Sequence, residues 1–312
     1  MGTMSEKRVK VLLVAEEAAG LQALRAVDQS GHEIVGVLSS KTHGDKRGAT
    51  VADVAQTLGH EVWPAQAVKT PELADKIREL EVDLLLNVHS LFLIHKNVVA
   101  APKIGSFNLH PGPLPDYAGL NTPSWAVYHG ELRYGVTLHW MAPGVDTGEI
   151  AYQELFDIGD TDTGLSVSMK CVRLGVPLVN KLLADAAAGT IPRIKQDLSE
   201  RRLFLRKDVP NGGRLDWSEP AAQVDAQIRA SDYYPMPSPW GHPVAAVDGN
   251  EVRIAKAART GRPTTAEPGT VQASDDGVFV AAADEWLEIK RVQVDGAYKA
   301  PGEVLREGAR LT

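Results

Sequence analysis

Short apolar runs separated by longer amphipathic stretches fill the first half of the chain. "VKVLLVA" (Val9 to Ala15), "EIVGVLS" and "VDLLLNVH" are near-continuous runs of Val, Ile and Leu, the pattern of strands covered on both faces. Between them Gly20 to Gln29, "TVADVAQTLG" and "TPELADKIREL" carry helical spacing. Further strands are predicted at "EVWPA", "GSFNLH", "GVTLHWM" and "AYQELFDI", then a long amphipathic helix from about Thr163 to Gly189. This alternation implies an α/β fold, a Rossmann-like, mostly parallel sheet with helices on both faces, because parallel neighbours are reached through crossovers. From Val244 onward the period falls to two, in "VAAV", "EVRIAKA", "GTVQAS", "GVFVAA" and "WLEIKRVQV". Asp248-Gly249 and Asp276-Gly277 supply hairpin turns there. The expected organisation is a first domain over residues 1–190, a connection over 191–219, and a small antiparallel, β-barrel-like (OB-like) domain over 220–312.

Composition narrows the partners. The 312 residues carry 33 Lys+Arg and 40 Asp+Glu, a net charge of -7, which argues against general attraction to nucleic acid or an anionic membrane. "DLLLNVHSLFLI" comes nearest to a membrane span, but Asn87 and His89 interrupt it and it falls short of the roughly 20 apolar residues required. The start, "MGTMSEKRVK", has no apolar leader. One cysteine, Cys171, excludes an internal disulfide and a cysteine-rich zinc site; it suits a reducing cytoplasm, and no metal is expected. In the helical "SMKCVRLGVPLVNKLL" it reads as a buried packing residue.

Chemistry concentrates in "FNLHPGPLPDYAGLNTP". Residues two apart in a strand share a side, so Asn108 and His110 face one space. Pro111, Pro113 and Pro115 end the strand there, leaving the pair at its carboxyl end, where open α/β sheets bind ligands. The plainest reading is that both side chains bond turn backbone. A second element argues for more: "APGVDTGEI" puts Asp146 in a glycine-flanked loop directly after "GVTLHWM". Its carboxylate is expected to orient the imidazole and raise its pKa. Asn108 then offers an amide donor to a developing oxyanion, His110 a proton acceptor and donor, and Asp146 the orienting charge. That set suits acyl transfer without a covalent enzyme intermediate.

These residues resemble the signature of the 10-formyltetrahydrofolate-dependent formyltransferases: an asparagine, a histidine two residues on, an "HPGPLPDYAG"-like turn and an aspartate in a "VDTG"-like loop. "GRLDWSEPAAQVDAQIRA" and the tail after it are similar to the C-terminal domain of methionyl-tRNA formyltransferase and its amino-sugar relatives. The resemblance implies 10-formyltetrahydrofolate as co-substrate, with its pterin between the loop Ser90 to Ile94 and the loop Met141 to Asp146. Phe92, Ile94, Met141, Ala142 and Pro143 would contact it, while Leu91 and Leu93 pack in the core. It also implies that a neutral amine attacks the formyl carbon while Asn108 and protonated His110 stabilise the oxyanion.

Relatives of this kind differ in their acceptor. The first strand-to-helix turn, "VAEEAAGLQAL", lacks GxGxxG and so lacks the usual dinucleotide fingerprint. Glu16 and Glu17 either favour the helix dipole or pair with a cationic acceptor; in both cases they repel a phosphate, which disfavours glycinamide ribonucleotide. Transfer RNA needs a basic surface. Lys41, Lys46 and Arg47 stand in a loop that looks shorter than the basic insertion of the tRNA enzymes. From Arg201 onward 15 Lys+Arg meet 16 Asp+Glu, with "RRLFLRK" (Arg201 to Lys207) the one basic cluster, read as a solvated linker. The expected acceptor is a small-molecule or carrier-bound amine, an amino acid such as hydroxyornithine or an amino sugar, as in siderophore and peptide pathways. Methionyl-tRNA is a disfavoured alternative, formate-releasing hydrolysis a second, and a non-catalytic binding module a third. No oligomeric state follows from the sequence.

Overall fold

In the computed structural model, which describes residues 7–40, 48–90 and 92–312, the apolar runs form strands and the helical stretches form helices. Lys41, Lys46, Arg47 and Leu91 lie outside the described residues. The order begins β1 (Lys10–Ala15), α1 (Glu17–Gln29), β2 (Glu33–Ser39), α2 (Val51–Thr57), β3 (Val62–Pro64), α3 (Leu73–Glu79), β4 (Leu84–Val88), α4 (Lys96–Val99) and β5 (Gly105–His110). It continues with β6 (Ala118–Gly119), α5 (Thr122–Tyr128), β7 (Arg133–Trp140), β8 (Ile150–Asp157), α6 (Gly164–Ala188) and β9 (Leu203–Phe204). The final part holds α7 (Ala221–Ala230), β10 (Val244–Val247), β11 (Asn250–Pro263), β12 (Val271–Ser274), β13 (Gly277–Ala281), β14 (Glu285–Val294) and β15 (Ala297–Lys299).

The chain forms two compact units, one of residues 1–119, 135–156 and 170–203, the other of 120–134, 157–169 and 204–312. The first contains a seven-stranded sheet of order β3-β2-β1-β4-β5-β7-β8. β1 to β5 pair in parallel, and β7 runs antiparallel to β5, with Phe107 opposite Trp140 and Asn108 opposite His139. Leu12, Val14, Leu38 and Leu85 from the strands and Val68, Ala74 and Ile77 make one core cluster. Where α6 crosses β5, a Cβ on Gly175 would sit only 3.0 Å from Leu109 Cδ2, so glycine sets how closely that helix approaches. Ile194 bridges Ile150 in this unit.

The second unit is antiparallel: β10-β11-β14-β13-β12, with β15 added to β14. Asp248 and Gly249 both adopt positive φ (50° and 78°), the geometry of a two-residue hairpin whose twist matches its strands. Alternate side chains, among them Val252, Ile254, Val280, Leu287 and Ile289, bury against Val224 and Ile228 of α7, and Leu215 and Trp217 join that core.

Candidate active site

Three polar side chains lie in one row across neighbouring strands. Asn87 of β4 pairs with Asn108 of β5, and Asn108 with His139 of β7, so all three project to one face of the sheet. Asn87 Nδ2 donates to Asn108 Oδ1 at 2.8 Å. Asn108 Nδ2 in turn lies 3.2 Å from His139 Nε2 and 3.4 Å from Asp146 Oδ1. His139 Nδ1 is 2.8 Å from the Trp140 carbonyl, which can only accept, so Nδ1 carries a proton and Nε2 is the ring atom turned to the site.

Asp146 closes the cluster. Its Oδ2 accepts the Gly119 N–H at 2.8 Å and lies 3.6 Å from His110 Nδ1, and its Oδ1 lies 3.4 Å from His139 Nε2. Because β7 runs opposite to β5, the loop leaves beside Phe107 and doubles back over the row. Gln196 Nε2 donates to the carbonyls of Asp146 (2.9 Å) and Gly148 (2.5 Å), and Arg201 Nη2 to that of Val145 (2.7 Å). A Cβ at Gly148 would collide with the Trp140 carbonyl, so that return path requires glycine. Asp146 itself has φ 52°, left-handed backbone that costs energy and persists where the surroundings impose it.

His110 is 3% exposed, with Nε2 2.5 Å from the Tyr117 carbonyl. The expected rise in its pKa does not occur. Asp146 and the Tyr117 carbonyl do favour the charged ring, but burial, aided by repulsion from His139 and His89, outweighs them and holds the pKa below its ordinary value. His110 is therefore neutral at rest, with its proton on Nε2. Burial alone would raise Asp146, yet His110, His139 and the Gly119 N–H hold it well below the usual carboxylate range.

Other expected residues fare differently. Phe92, Ile94 and Met141 are partly buried, each packed against the first unit's core cluster; Ala142 is half-buried and Pro143 exposed. Leu93, expected in the core, is 82% exposed, because its loop turns that side chain outward while Phe92 and Ile94 face in. Glu16 does not cap α1 through its side chain; it accepts the Ser40 N–H at 2.6 Å and the Ser39 hydroxyl at 3.3 Å. Glu17 opens α1 at φ 62°, 3.6 Å from the Nδ1 of His89, itself at φ 60°, where β1 and β4 end side by side. The basic "RRLFLRK" cluster is not merely a solvated linker: Arg201 braces the Asp146 loop, and Arg202 lies 4.3 Å over the Tyr117 ring. The row partners Asn87 and His139 were not singled out from sequence, although each is a polar interruption of an apolar strand.

A largely buried carboxylate thus lies between two imidazoles and an amide on one face of an open α/β sheet. The chain belongs to the formyl transferase family: residues 7–178 match the formyl transferase model and 209–310 its C-terminal domain. It is thus an enzyme that transfers one-carbon formyl groups. It is 29% identical over 311 residues to the methionyl-tRNA formyltransferase of Solibacter usitatus, covering 97% of each chain. Against that of Symbiobacterium thermophilum it is 30% identical over 298 residues, 92% of this chain and 89% of the other. The fold resembles an N-formyltransferase from Helicobacter canadensis solved with folinic acid and dTDP-3-aminofucose (TM-score 0.69, 18% identity, 90% of this chain and 99% of that one).

Proposed function

We propose that the enzyme transfers the formyl group of 10-formyltetrahydrofolate directly to the amine of a small or carrier-bound acceptor. The observation that carries this reading is Asp146 bridging His110, His139 and Asn108 on one buried sheet face. Phe92, Ile94 and Met141, partly buried apolar residues at the border of the core, with Ala142 and Pro143 following Met141, are the candidates to receive a flat heteroaromatic ring, and folate supplies an activated formyl group.

In this mechanism the amine lone pair forms the new C–N bond, the bond from the formyl carbon to the folate nitrogen breaks, the amine loses a proton and the folate nitrogen gains one. The Asn108 N–H contacts, long at 3.2 and 3.4 Å, are taken over by the oxygen as it gains charge. His110, neutral at rest, accepts the proton at Nδ1 under the attraction of Asp146 and returns it. No nucleophilic side chain is needed, since the formyl donor is already activated.

For the acceptor, Glu17 beside His89 at the ends of β1 and β4 supports a cationic amine, with an amino acid such as hydroxyornithine or an amino sugar as first trials. Full-length similarity to methionyl-tRNA formyltransferases favours a second reading, in which the amine is carried on tRNA. The test is incubation with 10-formyltetrahydrofolate and a panel of free amines, amino sugars and methionyl-tRNA, with products read by mass. Turnover of a free amine is expected. Formylation of methionyl-tRNA alone, falling steeply as salt rises, overturns the small-acceptor reading, and release of formate without any acceptor overturns transfer itself.

A further inference from the structure

We propose that Asn87 is a positioning residue that sets which end of the Asn108 amide faces the reacting groups; the inference rests on the formyl-transfer reading above. An asparagine side chain has the same shape in either flip, so only its neighbours decide whether nitrogen or oxygen points into the site. For Asn108 the neighbours on the site side are His139 Nε2 and Asp146 Oδ1, the latter a carboxylate oxygen that can only accept. They select Nδ2. On the opposite side Asn108 Oδ1 meets Asn87 Nδ2 at 2.8 Å, across the directly paired positions of β4 and β5. The orientation is therefore held from both ends of the row.

Asn87 is not explained by stability. Its own Oδ1 is buried and has no hydrogen-bond partner, an unfavourable state for an acceptor. Flipping Asn87 would not relieve this, because Oδ1 would then face Asn108 Oδ1. Leu85, two residues back on the same face of β4, is buried and apolar, as are Leu84, Leu86 and Val88 on the other face. What asparagine adds at this position is one N–H, delivered to the residue that offers its amide to the oxyanion.

The experiment measures Asn87→Leu, Asn87→Asp, Asn108→Ala and the double variant Asn87→Leu/Asn108→Ala for kcat, for KM of folate and acceptor, and for thermal melting. Asn87→Leu is expected to stay folded with a melting point within a few degrees of the parent, to keep both KM values within about twofold, and to lose about 10- to 100-fold in kcat. Asn87→Asp, which offers only acceptors to Asn108 Oδ1 when ionised, loses more. In the Asn108→Ala background Asn87→Leu costs nothing further, since a residue acting through another has no effect once that other is gone. Parental kcat in Asn87→Leu, additive losses in the double variant, or an unfolded Asn87→Leu each overturn the proposal, the last by making Asn87 structural. If the parent itself transfers no formyl group, the functional reading fails and this inference falls with it, an outcome distinct from an active parent matched by Asn87→Leu.

Discussion

Glu285 is a buried acid and Asp146 a largely buried one, one in each unit, and their charges are matched by different kinds of partner. Glu285 lies against a permanent cation: Arg259 Nη2 is 2.6 Å from its Oε2, and its Oε1 accepts the Gly261 N–H at 2.6 Å. Near it Asp225 takes Arg229 Nε at 2.6 Å in the same manner. Among the described residues Asp146 has no Lys or Arg partner; the Arg201 guanidinium donates to the carbonyl of the preceding Val145 instead. Its partners are two imidazoles, one amide and one peptide N–H. A guanidinium consumes a carboxylate's field permanently, whereas an imidazole draws on it only when a proton arrives. Glu285 sits in a fixed ion pair, whereas the groups facing Asp146 are ones that can gain and lose a proton.

Activity should divide along that line. His110→Ala is expected to lower kcat about 1000-fold with the fold retained, and Asp146→Asn about 100-fold, read with any acceptor the enzyme accepts. Arg259→Leu should leave both kcat and KM for a small acceptor within about twofold. A hundredfold loss in Arg259→Leu, or none in Asp146→Asn, would erase the contrast. Histidine NMR sharpens it: His110 should titrate below 6.5 in the parent, and lower still in Asp146→Asn, because the carboxylate is what raises it against burial.

Stability should divide as well, in different pH windows. A histidine whose folded pKa is lowered binds fewer protons folded than unfolded once the pH drops below 6.5, so His110 weakens the fold on acidification from that point. The Glu285 pKa is also lowered, by Arg259 and the Gly261 N–H acting against burial. Its contribution is present above 4.5 and is lost only as the pH falls through its folded pKa. Arg259→Leu is therefore expected to cost about 1–3 kcal/mol in urea unfolding at pH 7 and to flatten the decline below pH 4.5, while His110→Gln flattens the decline that begins near 6.5.

What sequence made legible follows from range. The strands, the long helix and the proline-terminated segment bearing Asn108 and His110 are local patterns, as is the glycine-flanked loop of Asp146. The row of Asn87, Asn108 and His139 depends on register between three strands far apart in the chain, and on the direction of β7, neither of which a local period encodes. The sign of the His110 shift was unreadable for a related reason: a facing carboxylate can be guessed from loops, but burial is a property of the assembled sheet. Leu93 failed in the opposite sense, since an apolar residue in a loop carries no period to say which way it points.

Cys171 offers the smallest test, because it is a buried titratable group with no charged partner among the described residues. It is 2% exposed, its Sγ is 3.6 Å from the Gly135 carbonyl, and burial pushes the thiol far above its ordinary pKa. A thiol held protonated is a poor nucleophile, so direct attack by the acceptor predicts that Cys171→Ala keeps full formyl transfer. The loss should be confined to packing, about 1 kcal/mol in denaturant unfolding. A formylated Cys171 trapped by mass spectrometry, or a large fall in kcat in Cys171→Ala, would mean that the formyl group pauses on the protein, and the site around Asp146 would then need a different chemistry.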